Sequence, residues 1–443
     1  LPTVLSLDIA LSGGIPEGTV VLLTGKPKIG KCLNSHKSFI ITKNGILTTQ
    51  EIYKNNNRSL VDKDGKIRKI NYYYDNGYEK TFIITTKRGI EIECTGEHPI
   101  MIVDNDGKMD WKKAEDISVG DIVVGRLGDN VWGKNKMDLD EAYVYGLLVG
   151  DGHLTPRLTT LTNIDPSPVK AFKKFVKSKL GSIRRYDIDY RWCQYKENIE
   201  LYSKLFYIGK DKQVPEIIRK SNKQAICSFM AGYFDADGTV EGGNISITTK
   251  SEYLKNQITT IFLNLGMYPA VRRTYKRATN GSINKNLYYI ISLGRVVDLR
   301  LFYDLIPIKI EHKKDKLLKL LNRKSSDKHY IVYNAGSPLR SLKTKIMATQ
   351  LIDGKSFLTI NINRHISGAR NARRDILSEF LTKYENYESE SEYKTIQKLI
   401  DPSLWFSPVK TISEGFSHTS DLNVEFSHSF IANGIINHNS TIC

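Results

Sequence analysis

Three groups of residues in this 443-residue chain have types and spacings suited to chemistry. The first lies near its two ends. Cys32 is a thiol nucleophile, "TGEH" places Thr95 and His98 as a Thr-x-x-His after an alternating run, and "FIANGIINHNS" sets His438 and Asn439 directly before Ser440. An Asn side chain can attack its own backbone carbonyl, closing a succinimide and cutting the chain. A neighbouring His that protonates the leaving amide nitrogen speeds that step, and Cys32 and Ser440 are nucleophiles for acyl transfer. Taken singly these features are weak, since His98 reads equally well as a satisfied core histidine. The second group is a repeated skeleton, x-x-Gly-x-x-x-x-Asp-Gly, in "VYGLLVGDG" (144–152) and "MAGYFDADG" (230–238). Small residues on one face let two helices approach closely and bring Asp151 and Asp237 side by side at their ends. Two adjacent carboxylates share a proton or hold a divalent cation. The third group is "TGKPKIGKCLNSHK" (24–37), in which Gly25, Gly30 and Lys31 fit a phosphate-cradling loop, but Cys32 stands where a Ser or Thr hydroxyl would hold Mg²⁺.

The elements that must position these groups differ along the chain. Residues 1–31 read as a fragment of an α/β nucleotide-binding domain, with "TVVLLTG" as a buried strand whose flanking strands never come, and with neither an initiator Met nor a signal peptide. The chain is therefore expected to be part of something longer. Residues 32–137 read as all-β, a series of short alternating strands broken by Asn-Gly, Asp-Gly, Arg-Gly and Val-Gly turns. Residues 138–330 alternate helices with strand pairs, twice, which indicates an internal duplication. Residues 331–404 are polar, with moderate helical patterning, and β-texture returns over 405–439. The net charge of +17 in a chain with 48 acids points to a polyanionic partner such as DNA. Five cysteines without CxxC pairs argue against a zinc module or a disulfide framework. No run approaches 18 uninterrupted apolar residues, so no membrane span and a cytoplasmic setting are expected.

The two Gly…Asp-Gly segments resemble the LAGLIDADG motifs of homing endonucleases, and "MAGYFDADG" is a near-complete match. The resemblance implies an α+β domain of two pseudo-symmetric repeats over 138–330, whose sheets form a saddle on DNA. It also implies Mg²⁺-dependent double-strand cleavage at Asp151 and Asp237. "VYGLLVGDG" departs from the motif by carrying Val149 where an acid often sits. Arg272, Arg273, Lys276 and Arg277 are DNA-contact candidates on a strand, or equally a solvated strand face.

The end residues, in this order and with an endonuclease between them, resemble inteins over 32–439. The resemblance covers Cys32, Thr95, His98, Asp421 and His428 in "SDLNVEFSHSF", and "NGIINHN" ending at Asn439. It implies a horseshoe-like all-β splicing (Hint) domain assembled from 32–137 and 405–439, with 331–404 as a helical insert or linker that contacts DNA or acts as a spacer. It implies self-catalysed splicing without a cofactor, in which 32–439 leave and Lys31 is joined to Ser440. Joining them writes "TGKPKIGKSTIC", a complete Gly-x-x-x-x-Gly-Lys-Ser-Thr loop. The flanks 1–31 and 440–443 then resemble a RecA-like ATPase host, present in cis. The expected DNA target is the intein-free host allele, and the protein is expected to act as a monomer. Other readings are an endonuclease whose β-flanks are only a platform, an ATPase with a large insertion, and a Hedgehog-type autoprocessing domain, which has no use for Asn439. A disulfide from Cys32 to Cys443 or Cys94 is a further expectation. It would block the first step and make splicing depend on reductant.

Overall fold

The computed structural model describes residues 34–205, 212–277, 285–322 and 331–439. Cys32, Ser440, Cys443 and the interrupted loop at 25–31 lie outside the described residues, as does the side chain of Arg277. The described residues all belong to one compact unit of the chain.

From its start, this unit runs through short apolar strands: β1 (Asn34–Ser35), β2 (Phe39–Thr42), β3 (Gly45–Thr48) and β4 (Ser59–Val61). They are followed by β5 (Ile67–Thr86), β6 (Glu91–Cys94), β7 (Pro99–Val103), β8 (Met109–Lys113) and β9 (Ile122–Arg126). The middle of the chain repeats one order of elements. Helix α1 (Leu139–Asp151) leads into β10 (Gly152–Thr155) and β11 (Leu158–Thr162), then α2 (Pro166–Ser178), β12 (Ile183–Tyr186) and β13 (Asp189–Trp192). Helix α3 (Lys223–Asp237) leads into β14 (Gly238–Glu241) and β15 (Asn244–Thr249), then α4 (Glu252–Asn264), β16 (Ala270–Arg277) and β17 (Lys285–Leu293). The two four-stranded sheets have matching orders, β10-β11-β13-β12 and β14-β15-β17-β16. Helix α5 (Glu311–Leu321) follows.

The polar stretch beyond is a packed helical unit. The pair β18 (Ile331–Val332) and β19 (Ala372–Arg373) ties together α6 (Gly336–Thr349), α7 (Phe357–Ile366), α8 (Arg374–Lys383) and α9 (Ser391–Leu399). Its apolar face, with Leu339, Leu342, Leu377, Phe380 and Ile396, shares one core with Met101, Val124 and Phe406 of the β-region. Burial of that face explains why so polar a sequence folds. Two basic side chains of this stretch are committed within the protein: Arg374 donates to the carbonyls of Asp401 and Leu404, both at 2.9 Å, and Arg373 pairs with Asp375.

The chain closes with β20 (Leu404–Val424), β21 (Ser429–Ala432) and β22 (Ile435–His438). These complete a twelve-stranded sheet of order β3-β2-β21-β22-β7-β9-β20-β1-β6-β5-β4, with β8 on β7. Strands from the two ends of the chain thus interleave within one sheet. Short strands were expected throughout, but β5 and β20 span 20 and 21 residues and pair along most of that length. The Asn76-Gly77 signal, read as a turn, is absorbed as a bulge where the register shifts between Thr419 and Ser420, with Gly77 at φ +72°. A continuous partner strand overrides a local turn preference, and the one-residue bulge lets the ladder continue past it.

Candidate functional site

The end residues are brought together by strand pairing. Asn34 pairs with Cys94 on one side and with Ser420 on the other. The segment that begins two residues after Cys32 is thereby held between the strand leading into Thr95 and the strand carrying Asp421. Asp421 is 2% exposed, and its Oδ1 accepts a hydrogen bond from Leu422 N at 2.8 Å. Across the ladder it faces Tyr74, whose hydroxyl is pushed up first by burial and then by the Asp421 charge.

His98 is fully buried in the turn between β6 and β7, where its N–H donates to Thr95 O at 3.1 Å. Its Nε2 lies 2.9 Å from Asn437 Oδ1, while Asn437 Nδ2 donates to Ile435 O at 2.7 Å. With the amide oriented that way, the neutral imidazole carries its proton on Nε2 and its lone pair on Nδ1. Asn437, a residue that sequence reasoning missed, therefore sets the tautomer of His98. Strand β22 lies beside β7 through Asn437 and Ile100 and ends at His438.

Asn439 is fully buried, and its N–H donates to His428 O at 3.0 Å. His428 adopts φ +45°, an uncommon backbone for a non-glycine residue, and its buried Nδ1 has no hydrogen-bond partner among the described residues. The rings of His428 and His438 stack with centroids 6.3 Å apart, and Trp111 meets His438 edge-on at 4.9 Å. Burial holds the pKa of His438 below the usual histidine range, the His428 charge adds to that, and a hydrogen bond with the Asn439 backbone opposes it. The ring next to Asn439 is thus neutral near pH 7 and able to pass a proton. Cys94 is fully buried at the end of β6. The other two partners of the expected disulfide lie outside the described residues.

The second site sits at the paired ends of α1 and α3. A Cβ on Gly146 would collide with Phe229 O, and one on Gly232 with Tyr143 O, so only glycine permits this approach. At the helix ends, a Cβ on Gly150 would come within 3.5 Å of Asp237 Oδ2. Each helix stops at a glycine, Gly152 or Gly238, and runs directly into the first strand of its sheet. Burial, then the charge of Asp237, pushes Asp151 up from 3.8 to about 6, against a 2.8 Å hydrogen bond from Asn163 and the charges of Lys313 and Lys212. Burial likewise raises Asp237, opposed by Lys212 and Lys313. Lys212 donates to Gly150 O at 2.8 Å, and Lys313 to Asp235 O at 2.7 Å. Lys313 was missed because nothing in its local sequence marks it, and Lys212, at the head of "KQVPEII" (212–218), a segment that resembles the endonuclease family, was not singled out as a charge at this site.

The departure at Val149 has a packing explanation. Its counterpart on α3, Asp235, is 2% exposed and accepts from Tyr143 Oη at 2.6 Å and Lys309 N at 2.7 Å. That carboxylate anchors the entry to α5, whereas Val149 is simply buried in the core. Of the DNA-contact candidates, Arg272 and Lys276 are both exposed and, by strand alternation, share the open face of β16. Arg273 points to the other face and pairs with Glu91 of β6 at 2.8 Å, as does the buried Lys255 at 2.6 Å. In the first repeat, Arg184 and Arg191 stand opposite each other on the corresponding face. A cleft of about 590 Å³ beside Arg272 and Arg273 is also lined by Lys87 and Arg88 of the turn after β5, by Lys410 of β20 and by Glu91. No helix among the described residues is long and apolar enough to cross a membrane.

Comparison with known proteins adds the following. The replication factor C small subunit of Methanocaldococcus jannaschii is 28% identical over 87% of this chain, and the match covers 21% of that protein. Its Thermococcus kodakarensis counterpart is 24% identical over 70% of this chain and 37% of its own length. The replicative DNA helicase DnaB of Synechocystis is 22% identical over 98% of this chain and 50% of its own. The chain thus spans half or less of these relatives. Among solved structures, variants of the homing endonuclease I-DmoI align over 41% of this chain and 97% of theirs, with 18% identity and a TM-score of 0.32. An Ssp DnaB mini-intein aligns over 22% of this chain and 62% of its own, with 13% identity and a TM-score of 0.18. The intein splicing domain family matches residues 38–439, nearly the whole of the described unit, and the chain belongs to that family.

Proposed function

We propose that the chain excises its own residues 32–439 and joins Lys31 to Ser440. The observation that carries this reading is the interleaving of the two chain ends. β1 lies between the strand leading to Thr95 and the strand bearing Asp421, and His98 is hydrogen-bonded to the strand that ends in His438 and Asn439. Cys32 Sγ attacks the Lys31 carbonyl; the peptide C–N bond breaks, a thioester forms and the amide nitrogen gains a proton. His98, oriented by Asn437 and Thr95, polarises that amide. Ser440 Oγ then displaces the thiolate to give a branched ester, with Asp421 positioning the groups between steps. The Asn439 side-chain nitrogen attacks its own carbonyl, the bond to Ser440 breaks, and His438 and His428 serve the leaving amine. The ester rearranges to a peptide. Each transfer is nearly isoenergetic, so rate comes from holding the groups in place, and no cofactor is required. The joined flanks restore a Gly-x-x-x-x-Gly-Lys-Ser-Thr loop of a RecA-like ATPase. The cysteine and asparagine steps separate in variants: Asn439→Ala should accumulate thioester and branched species, whereas Cys32→Ala should leave only cleavage at Asn439.

A second activity, site-specific double-strand DNA cleavage by the α1/α3 unit, is supported by the Asp151–Asp237 pair. Two half-buried carboxylates, each pushed up by burial and Asp151 further by the charge of Asp237, form a hard-oxygen donor set suited to Mg²⁺, which when bound would supply charge neutralisation at a phosphodiester. Lys212 and Lys313 offset part of the acidic charge at the helix ends, and Arg272, Lys276, Arg184 and Arg191 on the open sheet faces would hold the DNA backbone. Incubation with a duplex spanning the joined Lys31–Ser440 codons should yield a double-strand break that Asp237→Asn abolishes. An uncut duplex with the unsubstituted protein would confine the chain to splicing.

A further inference from the structure

Beside Asp421 and Tyr74, and away from the carboxylate pair, three neighbouring segments bring together His36, Asp75 and His418. One ligating atom from each of these three side chains lies within 4.8 Å of the other two. The backbone places them there. His36, just past β1, donates its N–H to His418 O at 2.9 Å, and the bulge at Asn76 lets Asp75 pair with Ser420, which shares a sheet face with His418. Asp75 Oδ1 is held toward the bulge by Gly77 N at 3.1 Å.

The ring nitrogens lie close together, the two rings tilted by 34° with their centroids 3.9 Å apart. His36 Nε2 is 3.1 Å from His418 Nδ1, 3.1 Å from Tyr73 Oη and 4.0 Å from Asp75 Oδ1. A tetrahedral ion with metal–nitrogen bonds of about 2.0–2.1 Å separates two imidazole nitrogens by about 3.3 Å, close to this spacing. A His–His hydrogen bond alone explains the pair of rings, but not the phenol on His36 Nε2 or the Asp75 carboxylate, whose Oδ1 lies nearer His418 Nε2, at 3.5 Å, than His36 Nε2. The site is open enough to admit an ion, with side-chain exposures of 11% for His36, 30% for His418 and 49% for Asp75.

We propose that His36, His418 and Asp75, with Tyr73 or water completing the shell, bind one borderline transition-metal ion of the Zn²⁺ class. The site is distinct from Asp151 and Asp237. Two imidazoles with one carboxylate favour such ions over Mg²⁺ or Ca²⁺, which demand oxygen ligands. An ion there cross-links β1, β5 and β20, fastening the segment that follows Cys32 to the strand that carries Asp421.

Co²⁺ is the direct probe, because its visible d–d bands report tetrahedral ligation. The full chain carrying Cys32→Ala and Asn439→Ala stays unspliced and lacks the nucleophile thiol. It should take up one equivalent of Co²⁺ with tetrahedral bands, and Zn²⁺ should displace the Co²⁺ and raise the melting temperature. Both effects should vanish with His418→Gln or His36→Gln, weaken at least tenfold with Asp75→Asn, and persist with His428→Gln and with Asp151→Asn. An unchanged Co²⁺ spectrum in His418→Gln overturns the assignment, as does a parent chain that takes up no Co²⁺. Should the histidine variants fail to fold, anomalous diffraction from a Zn²⁺-soaked crystal of the parent decides. A peak between His36 Nε2 and His418 Nδ1 supports the site, and its absence there overturns it.

Discussion

The Nε2 of His98 and the Oδ1 of Asn437 lie 2.9 Å apart, although 339 positions separate them in the chain. This contact joins the turn proposed to act in the first acyl transfer to the strand that ends beside Asn439, the residue proposed to act in the last. Replacing Asn437 by Leu keeps the strand but removes the acceptor, so the ring can place its proton on either nitrogen. Thiol-induced cleavage at Cys32, measured in an Asn439→Ala background, should slow by about tenfold to a hundredfold, with the far-UV circular dichroism unchanged. Asn437→Gln or Asn437→Asp, which keep an acceptor, should recover part of the rate. A purely structural role would show itself as lower thermal stability with the cleavage rate intact.

The carboxylate pair predicts a pH dependence of stability with a definite sign. Asp151 binds its proton more readily in the folded chain, at about 6, than its ordinary 3.8. The folded state therefore holds more protons across that window, and metal-free stability falls as pH rises through it. By about pH 7 the penalty amounts to about 3 kcal/mol. Asp151→Asn should raise metal-free stability by up to that amount near neutrality, change it little below about pH 4, and abolish DNA cleavage. Mg²⁺ should stabilise the parent and leave the variant unaffected. A variant less stable than the parent at neutral pH would show that the pair is not strained by its own charge.

The helix pair makes its own test. Gly232→Ala forces a methyl into Tyr143 O and should cost about 3 kcal/mol or more in urea denaturation, with DNA cleavage lost as Asp151 and Asp237 move apart. Gly354→Ala, where a Cβ would meet nothing within 4 Å, is the matched control and should be neutral.

The three described candidates on β16 should separate by face. Arg272→Ala and Lys276→Ala should each weaken DNA binding and reduce the slope of log K against log salt by about one. Arg273→Ala should leave that slope nearly unchanged, because its guanidinium already faces Glu91 across the sheet-to-sheet contact. A loss of slope in Arg273→Ala equal to that in Arg272→Ala would contradict the assignment of faces.

Much of this arrangement is legible in the sequence, for physical reasons that also explain the gaps. Helices α1 to α4 follow from sustained apolar periodicity and from the Asp-Gly stops, so the carboxylate pair could be anticipated from spacing alone. Tyr73, Asp75 and His418 could not, because only the β5–β20 ladder and its bulge bring them together, and Asn76-Gly77 reads locally as a turn. Asn437 was hidden for the same reason: its partner is set by long-range pairing of β22 with β7. Lys313 carries no local signature, and only the fold places it and Lys212 at the ends of α1 and α3. The helices between 336 and 399 were seen only faintly, since their narrow apolar stripes lie in a polar background. Their burial against Val124 and Phe406 is a tertiary fact.

The most direct test of the account is the mass spectrum of the purified chain after incubation at neutral pH with a reductant. The account predicts a free polypeptide of residues 32–439 ending in a succinimide or Asn439, together with a peptide in which Lys31 is bonded to Ser440, reading "GKPKIGKSTIC" across the junction. Neither should form in the Cys32→Ala, Asn439→Ala double variant. An intact 50.4 kDa chain from the unsubstituted protein, or release of the flanks without their ligation, would contradict it.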